Sequence, residues 1–194
     1  MGLWDTVKSV GYFTTNTYPH TDSNASVASI RHVLAIDERR AFFQPEPINP
    51  RNTQQLERWF TGVHADIGGG YPDRDGQLWR PPYEWVLEGA LAAGLPANAD
   101  RILQLPADQE AVAEPWLEPI HDSMRWYWLP AELVPNRWFD RTTGEASWRV
   151  GFGRRRAMDA SDLIHPSVAK RIDKIATYLP SNLPSAPRRR SENE

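Results

Sequence analysis

The 194-residue sequence predicts an α/β fold, a mostly parallel sheet flanked by helices. Three observations carry that prediction. Leu56 to Val63 is a short aromatic and β-branched run, suited to a strand, that stops at His64 and a glycine-rich stretch. The first residues put apolar Leu3 and Trp4 directly before Asp5, as at the end of a buried strand. Helical apolar spacing recurs between and after these two runs. In open parallel sheets, functional groups gather at the C-terminal ends of strands, where the connecting loops diverge. Asp5 and His64 both stand at such positions.

Between them, residues 14–26 are polar and turn-rich. Ser26 is expected to cap a helix through Val27, Ile30, Val33 and Leu34 that ends near Arg39–Arg40, where basic residues suit the helix dipole. Residues 44–53 carry three prolines and form a connector. Gly68, Gly69 and Gly70 permit backbone conformations closed to other residues and keep the loop after His64 tight. From Pro82 onward, YEWVLEGALAAGL reads as a helix with Trp85, Leu87 and Leu91 as anchors, closed by Gly94 and Pro96. Residues 95–150 are rich in Pro and Trp and read as irregular cover around short helices or strands. Ser167 to Tyr178 reads as a helix with Val168, Ile172 and Ile175 on one face. The domain is thus expected over 1–184, followed by a disordered polar tail over 185–194.

Composition narrows the function. Net charge is −3, so no global field draws the chain to nucleic acid. The absence of cysteine removes thiolate catalysis, disulfides and Cys-type zinc sites. The start lacks a secretory leader, and no stretch reaches the ~20 apolar residues of a membrane span. The chain is therefore expected to be cytoplasmic where it is made. Nine Trp supply large apolar surfaces, for a core or for a wall facing lipid.

A serine hydrolase needs a histidine to take the nucleophile's proton and an acid to orient that histidine. In α/β-hydrolases the chain order is Ser, Asp or Glu, then His, which makes Asp5 and His64 the candidate second and third members. The nucleophile elbow, Gly-x-Ser-x-Gly, is not found; VKSVG around Ser9 comes nearest and lacks the first glycine. Other readings of the same residues stand beside this one. Asp5 also fits a cap of the following turn, and His64 a structural hydrogen-bonder. His64 and Asp66, with Asp73 and Asp75 nearby, offer metal-ligand types, but without the full calcium-loop pattern or a second histidine at ligand spacing. The runs Arg154–Arg156 and Arg188–Arg190 read as solvated surface charge, with an anionic headgroup as the alternative contact.

GLWDTVKSVG, RHVLAIDERRAFF, WFTGVHADIGGGYP, IHDSM, IHPSVAKR and YLPSNLP together, in this order, resemble a bacterial α/β-hydrolase family that contains type VI secretion phospholipase effectors. The resemblance runs from residue 2 to about residue 184, and GVHADIGGGYP is its most specific segment. It implies the C-terminal part of an α/β-hydrolase fold, incomplete at its N-terminus, with Asp5 as triad acid and His64 as triad base. The family's serine lies in a Gly-Phe-Ser-Arg-Gly type elbow before the WDTV segment. The intact form would hydrolyse phospholipid ester bonds, and this chain alone is expected to be inactive. Phospholipid or another ester is the implied substrate. A membrane surface and the secretion machinery are further implied partners, and delivery would follow the type VI route. No cofactor and no metal are expected. A non-catalytic, immunity-like binding module and a metal-dependent hydrolase are the alternatives.

Overall fold

A computed structural model describes residues 1–7, 26–48, 54–98, 112–139 and 145–184. Three strands, β1 (Gly2–Trp4), β2 (Ile30–Ala35) and β3 (Gln55–Phe60), form a parallel sheet in the order β1-β2-β3. Leu3 stands opposite His32, and Val33 opposite Arg58. Helix α1 (His64–Gly68) follows β3, and α2 (Arg80–Ala92) follows α1. A single turn, α3 (Leu129–Glu132), precedes an antiparallel hairpin of β4 (Asn136–Phe139) and β5 (Ala146–Arg149). Helix α4 (Pro166–Lys174) comes last.

The core follows from the period-2 alternation of the strands. Val33, Ala35 and Phe60 face one side of the sheet and pack with Ile67, Trp85 and Val86 from α1 and α2. Leu34, Ile36 and Trp59 face the other side and pack with Ile164 and Val168, at and just before α4. Both faces of the small sheet are therefore covered, which is the layered α/β arrangement. The outer edge of β3 is closed by residues 163–165: the Trp59 amide donates to the Leu163 carbonyl (3.0 Å), and the His165 amide to the Trp59 carbonyl (2.9 Å). Among the described residues, β1 pairs with a strand on one side only.

The expected helix over 27–39 is a strand instead. Ile30, Val33 and Leu34 satisfy helical spacing, but they belong to a continuous apolar run, Val33–Ile36, every residue of which is buried. Such a run, buried on both faces, is the mark of a parallel strand, and its spacing fits either period. Ser26 lies in a turn, and Arg39 and Arg40 close no helix.

The other elements shift less. The strand before His64 ends at Phe60, and His64 itself opens α1. Gly69 closes α1 with φ 71°, and the Gly70 amide returns to the Ala65 carbonyl at 2.8 Å, where a Cβ would lie 3.0 Å from that of Ala65. The glycines thus serve the tight exit expected of them. Helix α2 begins at Arg80, with Pro81 and Pro82 in its first turn, where prolines cost no hydrogen bond. Its buried stripe is Trp85, Val86 and Gly89, and Leu91 is exposed, contrary to its expected role as an anchor. The last helix keeps Val168 buried and Ile172 packed on the core, and Ile175 is its cap. The expected tail over 185–194 lies outside the described residues.

Candidate active site

Each parallel strand ends in a charged or titratable group. β1 runs into Asp5, β2 into Asp37 and Glu38, and β3, after the Thr61–Val63 turn, into His64. Asp5 occupies the left-handed region at φ 45°, a conformation that Asp tolerates better than most side chains. Its amide still donates to the Val33 carbonyl (2.8 Å), so the carboxylate turns inward at the last rung of the sheet.

The structure brings the two predicted residues together. Asp5 Oδ2 lies 2.7 Å from His64 Nδ1. The Asp5 carboxylate is saturated: Oδ1 accepts from the Ala35 amide (2.9 Å) and Arg156 Nη1 (2.5 Å), and Oδ2 also accepts from Arg156 Nη2 (2.8 Å). Burial by itself would raise the Asp5 pKa, but the charge of Arg156 and the hydrogen bonds from His64 and Arg156 outweigh it and hold the carboxyl below its ordinary range. Asp5 is therefore a fixed anion. It holds the Nδ1 edge of the imidazole, with Nε2 on the opposite edge of the ring, and the His64 side chain remains about one-third exposed.

Glu38 locks the histidine's backbone. Its fully buried carboxylate accepts from the amides of Arg39 and Arg40 (2.9 Å each) and of His64 (3.1 Å). Arg40 Nε and Nη2 grip it in a fork at 2.9 and 2.8 Å, and the Ser123 hydroxyl adds a bond of 3.0 Å. Burial acts to raise the Glu38 pKa, yet these donors bring it down to about 2. The Arg40 guanidinium in turn sits 3.5 Å above the Phe43 ring, and Phe43 meets His64 edge-on, with centroids 5.0 Å apart.

Asp66 is turned away from His64. It accepts from the Val63 amide (2.9 Å) and from His121 Nδ1 (2.6 Å), and Tyr71 stacks on the His121 ring. Burial prevails over these bonds and raises its pKa. Among the described residues, no group of three His, Asp or Glu is placed to hold a metal ion. Ser9 lies outside the described residues.

Sequence reasoning missed Arg156 and Glu38. Arg156 was expected on a solvated face, yet it is among the most buried side chains of the protein, and it also donates to the Phe43 and Ala35 carbonyls. Nothing in a run of three arginines tells which one turns inward. Glu38 carried the signal that singled out Asp5, an acid directly after a strand, but reading β2 as a helix concealed it.

No curated protein and no solved structure matches the chain. The motifs IHDSM, IHPSVAKR and YLPSNLP lie beyond the segment that does match a family. Residues 1–89, which contain all three parallel strands, Asp5 and His64, match the family described as T6SS, phospholipase effector Tle1-like, catalytic domain, so that over this stretch the chain is similar to the type VI secretion phospholipase effectors.

Proposed function

We propose that Asp5 and His64 are the acid and base of a Ser–Asp–His triad that hydrolyses phospholipid ester bonds, within an α/β-hydrolase fold of which this sheet is the C-terminal part. The observation that carries the reading is the 2.7 Å contact between Asp5 Oδ2 and His64 Nδ1, made by a buried carboxylate held ionised. A serine Oγ attacks the ester carbonyl and passes its proton to His64 Nε2. The imidazolium, stabilised by Asp5, then returns that proton to the leaving alkoxide. Water repeats the sequence on the acyl-enzyme and releases the fatty acid. Asp5 stays ionised throughout, because Arg156 matches its charge.

The serine comes from a Gly-x-Ser-x-Gly elbow, a pattern absent from these 194 residues. The side of β1 that pairs with no strand among the described residues is where the strand leading into that elbow would pair. The family match over residues 1–89 also supports delivery through type VI secretion and a contact with that machinery. No helix among the described residues is long and apolar enough to cross a membrane.

The test is complementation. The chain joined to an elbow-bearing segment of the family should hydrolyse phospholipids, and His64→Ala should abolish turnover while the fold persists. Full activity in His64→Ala would refute the reading.

A further inference from the structure

The arginine run at 154–156 splits in two. Arg155 and Arg156 turn inward onto Asp37 and Asp5. Arg154 stays exposed, and no ion pair among the described residues engages it. It lines a cleft of about 710 Å³ together with Arg39, Arg155, Arg156, Ser181 and Asn182. Arg39 is tethered there by one nitrogen, Nε, which donates to the Gly153 carbonyl at 3.1 Å. Of the four guanidiniums on the cleft wall, two are matched by Asp5 and Asp37, and the other two have no ion-pair partner among the described residues.

Just before the cleft, the chain passes through two consecutive left-handed residues, Phe152 (φ 50°) and Gly153 (φ 65°). A bulky residue in that region is held by its surroundings. Here Glu132 is the clamp: its carbonyl accepts from the Gly151 amide (3.0 Å) and its Oε2 from the Gly153 amide (3.0 Å). The clamp spends this strain on an exposed side chain, since Phe152 is 64% exposed. Leu133, next to Glu132, is 60% exposed, and Trp148 on β5 and Trp126 before α3 are 64% and 80% exposed.

An aromatic side chain displayed by a clamped backbone, two positions from an exposed arginine, suits one kind of surface. Tryptophan is favoured at the headgroup level of a bilayer, and arginine forks pair with phosphate oxygens. We propose that the Arg39–Arg154 cleft docks on an anionic phospholipid bilayer, taking headgroup phosphates, with the adjoining Phe152 set into the interface and the exposed Leu133, Trp148 and Trp126 as further apolar contacts. The inference rests on the phospholipase reading for its purpose but not for its evidence. It also explains a continuity in the chain, because residues 152–156 run from the interfacial side chain through the cleft to the counter-ion of Asp5. Arg156 also donates to the carbonyl of Phe43, which packs on Trp128 and on His64 with centroids 5.6 and 5.0 Å apart.

The experiment is co-sedimentation of the 194-residue chain with vesicles of phosphatidylcholine alone and of phosphatidylcholine with 30 mol% phosphatidylglycerol, set here at ~30% to give a clearly anionic surface. Binding to the anionic vesicles should be at least about tenfold tighter and should weaken as salt rises. Phe152→Ser and the pair Arg39→Glu with Arg154→Glu should each reduce it about tenfold or more, with unchanged circular dichroism. Millimolar inorganic phosphate should compete only weakly, because a free ion cannot engage the aromatic residues. Equal binding to both vesicles, variants that bind like the parent, or complete displacement by phosphate at low millimolar concentration would overturn the proposal. The assay reads binding without turnover. Loss of docking therefore leaves the triad reading standing, and an inactive dyad leaves docking standing.

Discussion

Replacing Arg156 with Met removes the counter-charge of Asp5 and keeps most of the apolar stem. Asp5 is buried, and Arg156 supplies two of its hydrogen bonds and the only arginine that reaches it among the described residues. Breaking a buried pair by deleting one partner costs about 3–5 kcal/mol, because the remaining carboxylate keeps the Ala35 amide and His64 but loses its fixed counter-charge. The Phe43 carbonyl also loses its donors on Arg156 Nε and Nη2. Against a total of roughly 5–15 kcal/mol, this is a large fraction. For a chain of this size each kcal/mol moves the melting temperature by about 2–4 °C, so Arg156→Met should melt roughly 6–20 °C lower. The pH dependence identifies the cause. In the parent, the folded pKa of Asp5 lies below its ordinary 3.8, so its stabilisation is present above pH 3.8 and is lost as pH falls further. Without Arg156, burial prevails and the folded pKa rises above 3.8. The penalty then grows as pH climbs past that value and shrinks near pH 4. The double variant Asp5→Asn with Arg156→Met should recover part of the loss, because it removes the stranded charge. Urea denaturation of the four proteins of this cycle at pH 7 and pH 4.5 measures all of it. A single Arg156→Met variant as stable as the parent at both values would refute the electrostatic account.

In a complemented enzyme, Asp5→Asn should lower turnover by on the order of a thousandfold with little loss of folding, since the imidazole is then held in the wrong tautomer; initial rates on phospholipid vesicles check this. The chain alone should show no turnover of p-nitrophenyl esters, and activity that vanished in Ser9→Ala would mean that a serine outside the elbow pattern serves as nucleophile. Burial, with Arg58 and Lys170 adding to it, lowers the His165 pKa from 6.5 to about 3, so the unfolded chain binds a proton that the folded one refuses. Stability should therefore decline by up to about 1.4 kcal/mol per pH unit as pH falls from 6.5 towards 3, and His165→Asn should flatten that slope in urea titrations. Glu38→Gln should lose the stabilisation that Glu38 contributes above pH 4.5 and forfeits towards pH 2, leaving parent and variant nearly equal at the acid end of the same titrations.

The sheet and the dyad were legible to different degrees, for physical reasons. β3 was readable because its apolar run is short and is stopped by His64 and the glycine-rich stretch after it, although the strand itself ends three residues earlier, at Phe60. β2 was not, because Ile30–Ile36 is apolar enough to satisfy both periods, and only burial on both faces distinguishes them. Asp5 and His64 were found because an acid and an imidazole standing directly after strands are chemically conspicuous. Their pairing across 59 positions was an expectation from chain order, and the two side chains lie 2.7 Å apart. Arg156 reaches Asp5 across 151 positions, and no periodicity or local motif encodes a partner at that separation. The same limit hid the Glu132 clamp, which joins residues 41, 151 and 153.

The closing of β3 by residues 163–165 and of Asp5 by Arg156 bears on how this protein can be cut, swapped or recombined. The segment recognised by family likeness stops at residue 89, inside α2, and contains every residue of the proposed dyad. Excised there, it would carry a bare sheet edge along Trp59 and a carboxylate stripped of its cation. The later half is thus a keystone for the earlier one. Chimeras between relatives should take their seams outside the span from Gly2 to Val168, and a graft that imports a foreign 1–89 without its own equivalents of Arg156 and Leu163–His165 should fail to assemble.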